Sequence, residues 1–376
     1  MRNRYLDLLR AVAVVRVVVY HLTGWSVLTI AFPAMAVMFA LAGSMMAASL
    51  DRSGPIAVER RLHRLLPSVW VLSAVAVPAM LIGGMAWDWQ VLFWFFPLVD
   101  PPAAGDWTTA LSATWYLRDL LWFVLLSPLL LPLFRRFPLP VVATPYAALA
   151  LFAATGVTPH GIVRDLALYG GAWLLGFAHH DGLLRPRRLL WVAGALAVAA
   201  AGWIVTHPGP RGYDLNDIPL GNALWSAAFI LVLLRFAPAV RPHRAVTVLN
   251  SRALTVYLWH VPIIVAVTYA GEDAGWPVRG ALGIGWRLAA VVALLAVVVL
   301  LAGWVEDLAA GRRPTLVPRT VGPARKDGPH EDHPHPGTPH VLRPRVRQHT
   351  CRVPDLGREH DLPAGRRADQ LRGVRG

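Results

Sequence analysis

Up to about residue 310 the chain is a succession of apolar stretches of about 18 to 25 residues, the length a helix needs to cross a hydrocarbon core of roughly 30 Å. That recurrence constrains the fold more than any single motif. It predicts an all-α, polytopic integral membrane bundle of ten helices, with spans at 8–29, 31–50, 67–86, 115–134, 139–156, 166–180, 189–206, 220–237, 253–270 and 281–305. Composition agrees, since only 15% of the residues are charged against roughly a quarter in a soluble domain, and mean hydropathy is +0.48. A disordered chain is excluded, and so is a disulfide-stapled domain, because the single cysteine, Cys351, has no internal partner. The net charge of +14 sits between apolar runs rather than on one patch, so no nucleic-acid partner is expected.

Ten spans put both termini on one side, and loop arginines indicate which. With the N-terminus inside, the inner loops hold Arg52, Arg60, Arg61, Arg64, Arg135, Arg136, Arg185, Arg187, Arg188, Arg241 and Arg244. The outer loops hold only Arg164, Arg211 and Arg279. Both ends are therefore expected in the cytoplasm, in a cell inner or plasma membrane. The N-terminal run is broken by Arg10, Arg16 and His21 and lacks a clean cleavage site, so it reads as a retained span and not a signal peptide. From 311 to 376 the apolar period stops, and 14 Lys+Arg against 7 Asp+Glu leave a net of +7. This Arg-, Pro- and His-rich segment is expected to be a disordered cytoplasmic tail. Its histidines lack a fixed spacing, so no metal site is expected there.

Ionisable groups inside spans are costly and by default mark function. Arg10 and His21 are eleven residues apart, which at about 100° per residue puts them on one helix face about 16 Å apart. A base and a cation on an inward face suit a buried reaction path; equally, Arg10 can snorkel and His21 bond a backbone carbonyl. Arg16 lies about 140° from His21 on the wheel and has no evident role. In Glu59-Arg60-Arg61-Leu62-His63-Arg64, expected in the first inner loop, Arg61 and Arg64 are helix neighbours, and two guanidinium forks are suited to phosphate. They also fit an ordinary positive-inside cluster. Trp115 and Tyr116, opening the fourth span, could stack on a sugar or belong to the interfacial belt, and Asp119 could orient a histidine or pair with Arg118. His260, in Tyr257-Leu258-Trp259-His260-Val261-Pro262, reads more readily as a satisfied structural histidine.

Taken in order, these segments resemble the acyltransferase-3 family of membrane-bound acyltransferases. The opening Tyr5-Leu6-Asp7-Leu8-Leu9-Arg10 followed by His21 is similar to that family's start, and Arg61-Leu62-His63-Arg64-Leu65-Leu66-Pro67 to its Arg-x-x-Arg-x-x-Pro segment. Trp115-Tyr116-Leu117, the run Asn250-Ser251-Arg252 to His260-Val261-Pro262, and Glu306 also fit, so the resemblance spans residues 4–307. Departures are Ala42-Gly43-Ser44 in place of a Ser-Gly-Phe-like turn, and Arg16 where an apolar residue is usual. The resemblance implies transfer of an acyl group, acetyl by default, from acyl-coenzyme A to a hydroxyl of a glycan or related acceptor, with no metal or resident cofactor. It implies His21 as general base, Arg61 and Arg64 holding the coenzyme phosphates, and Arg10 binding the donor or steadying charge on the carbonyl oxygen. Trp115, Tyr116 and Asp119 would contact the acceptor. Acylation of a secondary metabolite, a multi-span transporter or flippase, and a non-catalytic membrane partner whose tail binds anionic lipid are the alternatives.

Overall fold

In a bilayer every backbone N–H and C=O must be satisfied within the protein, and apolar runs of this length do so as helices. A computed structural model of the chain describes residues 3–236, 238–241 and 243–315, and among these it is helical, with no strand beyond a single bridge between Gly209 and Gly212. The α-helices are α1 (Arg4–Thr23), α2 (Val27–Ala31), α3 (Ala34–Ser53), α4 (Ile56–Ile82), α5 (Trp107–Ala110), α6 (Trp115–Arg136) and α7 (Pro138–Thr155). They continue with α8 (Gly161–His180), α9 (Arg188–Thr206), α10 (Pro219–Arg235), α11 (Arg244–Ser251), α12 (Ala253–Asp273), α13 (Gly280–Ala302) and α14 (Trp304–Ala309). Ten of these helices have 17 residues or more and overlap the ten expected spans. Among the described residues seven apolar segments, the first running through α2 and α3 and another through α5 and α6, are long and apolar enough to cross a membrane. The chain is a multi-pass membrane protein. Of the three long helices outside that set, α1 carries Arg4, Asp7, Arg10 and Arg16, α8 carries Arg164 and Asp165, and α10 is short.

Two boundaries differ from the sequence reading. The first span ends early: Gly24, at φ 68, closes α1 in the left-handed conformation, and its N–H bonds the Tyr20 carbonyl. Residues 24–33 then form a corner containing the short α2. The helix that follows α3 starts well before Pro67, and Arg61 and Arg64 lie on α4 itself rather than in a loop. A hydropathy window discounts charged turns, and Pro67 suggested a start. Here the helix runs through both Pro67 and Pro78. The described chain also stays packed past Gly311: the Arg252 guanidinium donates to the Thr315 carbonyl at 2.6 Å, and the Thr315 hydroxyl donates to Asp307 at 3.1 Å. The rest of the expected tail, 316–376, lies outside the described residues.

Lipid is as apolar as leucine, so helices in a bilayer associate through close packing rather than through the hydrophobic effect. Packing is closest between α3 and α8. A Cβ on Gly43 would run into the Trp173 carbonyl, and one on Gly176 into the Ala40 carbonyl, so the two backbones touch where only glycine fits. Phe39, fully buried, stacks on Tyr169 and meets Phe123 edge-on at 5.3 Å. The buried fraction is 61% for the segment containing α3, 56% for that containing α6 and 50% for α12. It falls to 6% for α7, 17% for α9 and 11% for α13, which places those apolar surfaces toward lipid. The N-terminus of α1 is capped by the Asn3 side chain, which accepts from the N–H groups of Tyr5 and Leu6. Val14, Val18 and Leu22 pack against Val256, Ile263, Ile264 and Val267 of α12. That apolar seam sets the two helices that carry His21 and His260 side by side.

Candidate active site

Two cavities open at opposite ends of α1. The first, about 180 Å³, is lined by Arg10, Met45 of α3, Arg61 and Arg64 of α4, and Tyr116 of α6. Asn250, Glu306 and Arg312 close its other side. Arg10 donates to the Met45 sulfur at 2.9 Å, which holds its guanidinium toward α3. Four guanidiniums against the single carboxylate of Glu306 make this pocket cationic, and forked guanidiniums are the side chains that pair with anions such as phosphate. Glu306 also accepts from the backbone N–H and the hydroxyl of Thr255, at 2.8 and 2.6 Å, so it caps the first turn of α12 while lining the cavity. Burial raises its carboxyl above the usual range, and the Thr255 bonds work against that rise.

The second cavity, about 470 Å³, is lined by Arg16, Tyr20 and His21 of α1, Trp115 and Arg118 of α6, and Asp165 and Tyr169 of α8. Asp100, Arg211 and Asn216 contribute from loops. Its lining mixes aromatic faces with forked polar groups. Trp115 lies parallel to Tyr169, ring centroids 5.3 Å apart. The Tyr20 hydroxyl donates to Asp214 at 2.7 Å and accepts from Arg211 and Asn216 at 3.0 and 2.8 Å. Arg211 in turn grips Asp217, which holds that loop carboxyl below the usual range. Arg118 is buried and surrounded by three carboxylates, Asp100, Asp119 and Asp165.

The candidate residues named from sequence divide between these spaces. Arg10, Arg61, Arg64 and Tyr116 face the first; His21 and Trp115 face the second. Asp119 faces neither, being fully buried behind Arg118, to which one of its oxygens is bonded at 2.9 Å. Tyr257 lines both cavities. Its ring packs on Tyr116 at 4.9 Å and its hydroxyl donates to the Ala113 carbonyl at 3.0 Å, so these two tyrosines are part of what separates the spaces. His21 Nδ1 lies 3.0 Å from the Val17 carbonyl and 3.3 Å from Nε2 of His260, which is completely buried. Arg16 donates to the Leu28 carbonyl at 3.0 Å and sits over the Tyr20 ring, on the wall of the space that His21 faces.

Sequence reasoning quoted Tyr257 and Asn250 within motifs without giving them a role, and missed Arg312, Tyr20 and the contact between the two histidines. Arg312 was assigned to the tail because it follows the last apolar run. The histidine contact has half a signal, two ionisable groups in apolar spans, but no sequence pattern states that α1 and α12 are neighbours. Comparison with known proteins is concordant: residues 3–303 match the family profile described as an acyltransferase domain. No curated protein and no solved structure matches the chain. A profile match over that much of the chain, on a membrane bundle with a cationic pocket at one end of α1 and a histidine-bearing one at the other, shows that the protein belongs to the acyltransferase-3 family.

Proposed function

We propose that this membrane acyltransferase carries an acyl group, acetyl by default, from acyl-coenzyme A in the first cavity to a hydroxyl of a carbohydrate in the second. The observation that carries the reading is the pair of cavities at opposite ends of α1, with Arg10 in one, His21 in the other and Tyr257 lining both. Coenzyme A is polyanionic and cytoplasmic, so Arg61, Arg64 and Arg312 hold its phosphates, and the arginine-rich end of the bundle faces the cytoplasm together with both termini. The pantetheine arm then reaches inward past Arg10 toward Tyr116 and Tyr257. The acceptor sits against Trp115 and the Arg118 cluster; aromatic faces beside forked polar groups suit a sugar ring and its hydroxyls.

A hydroxyl is a poor nucleophile near neutral pH, and an imidazole is the side chain whose ordinary pKa suits removal of its proton there. His21 takes that proton as the oxygen attacks the thioester carbon. The tetrahedral intermediate collapses with the C–S bond breaking, the ester stays on the acceptor, and the proton leaves with the coenzyme thiol. The thioester is already activated and needs only positioning and a base.

Purified protein given labelled acetyl-coenzyme A and an envelope glycan fraction is expected to release thiol and to label the glycan as an alkali-labile ester. Label appearing instead in a small extractable metabolite would move the acceptor to that class. A protein that leaves the thioester intact with every acceptor fraction would overturn the proposal.

A further inference from the structure

The contact between the two histidines has a chemical direction. His260 Nδ1 is bonded to the Tyr257 carbonyl, and a carbonyl can only accept, so Nδ1 carries the proton of the neutral ring. His260 Nε2 is then a lone pair, and it points at His21 Nδ1, 3.3 Å away with the rings nearly edge-on. His21 Nδ1 also lies 3.0 Å from the Val17 carbonyl, again an acceptor only. Both acceptors therefore converge on one N–H. Turning either imidazole over would set a carbon where these nitrogens make their bonds.

We propose that His260 is a positioning residue that fixes His21 as its Nδ1–H tautomer, so that Nε2 is the nitrogen left to act as base. This rests on the reading of His21 as the general base. When His21 takes the acceptor proton on Nε2, the imidazolium needs an acceptor for its Nδ1–H, and that bond becomes charge-assisted. In a serine-hydrolase triad a buried carboxylate does this work. Here a neutral imidazole does it from a site with no solvent exposure, where water does not compete for the lone pair.

Three substitutions at His260 test this in the full chain, each with melting temperature, kcat and the KM for acetyl-coenzyme A measured on the monodisperse fraction. Asparagine mimics Nδ1 and still reaches the Tyr257 carbonyl, but it ends short of His21. Glutamine sets an amide oxygen where Nε2 lies. Leucine supplies neither. His260→Asn and His260→Leu are expected to lower kcat by about tenfold or more with donor KM unchanged, and His260→Gln to recover most of that loss. A folded His260→Asn enzyme with wild-type kcat, or a folded His260→Gln enzyme as slow as the leucine variant, would overturn the proposal. His21→Ala is measured beside them. If it too is fully active, the reading of His21 as base falls; if it is slow while His260→Asn is fast, only the positioning role falls.

Discussion

His21 and the Arg61–Arg64 pair stand in different cavities, so their loss should leave different kinetic marks. His21→Ala is expected to reduce kcat by roughly 10²-fold or more with little change in donor KM, because in the proposed reaction the imidazole acts on the acceptor. Arg61→Ala or Arg64→Ala should instead raise the KM for acetyl-coenzyme A, and lysine should restore it only in part because the fork geometry is gone. A rise in donor KM on losing His21, with kcat intact, would place the histidine in the donor site and refute the division. The residues of this division were partly legible in the sequence: Arg10, His21, Arg61 and Arg64 are charges where apolar or loop residues would serve. Arg16 and Asp119 show the limit. Each was visible as an anomaly, but whether a charge faces a cavity or is locked behind a neighbour is decided by side chains from other helices. For Asp119 that neighbour is Arg118, together with Asp100 and Asp165 from distant segments.

Helix α14 is short, yet it ties three parts of the chain. Arg252 at the start of α12 donates to Asp307 at 2.7 Å, both groups buried, and Thr315 closes on the same carboxylate. Burial works to raise the Asp307 carboxyl, but the Arg252 and Thr315 bonds outweigh it and hold it below the usual range. A depressed carboxylate stabilises the fold fully above its unfolded value of about 3.9, and the contribution is lost as pH falls through the lower folded value. Melting in detergent should therefore fall with acidification below about pH 4, and Asp307→Asn should flatten that dependence. A chain ending at Gly311 lacks the Thr315 bonds and should melt below one ending at Val321; equal midpoints would show that the latch contributes nothing. Element positions were readable because bilayer thickness dictates length. Their ends were not: the α1 corner depends on the left-handed Gly24, and the early start of α4 is hidden by its arginines. The α3–α8 seam was half visible, since Gly43 stands out as a small residue in a span, but its partner Gly176 is named only by the packing. Replacing Gly176 with leucine should force the two backbones apart and lower expression of folded protein.

The arginine count predicts a polarity for the bundle as a whole, and reporter fusions check it directly. Fusions after Gly105 and Gly275 should report the outer side and one after Gly182 the inner side; the reverse pattern would turn the proposed coenzyme pocket away from its supply. The pair of Tyr116 and Tyr257 bears on the economy of such an enzyme. A thioester exposed to a wet, histidine-bearing chamber hydrolyses, and the cell loses an activated acyl group for nothing. On the proposed reading, holding the donor on the far side of these two rings from that chamber would couple thioester cleavage to the presence of an acceptor. Opening the partition with Tyr257→Ala should convert the transferase into a leaky thioesterase, seen as thiol release that no longer requires an acceptor.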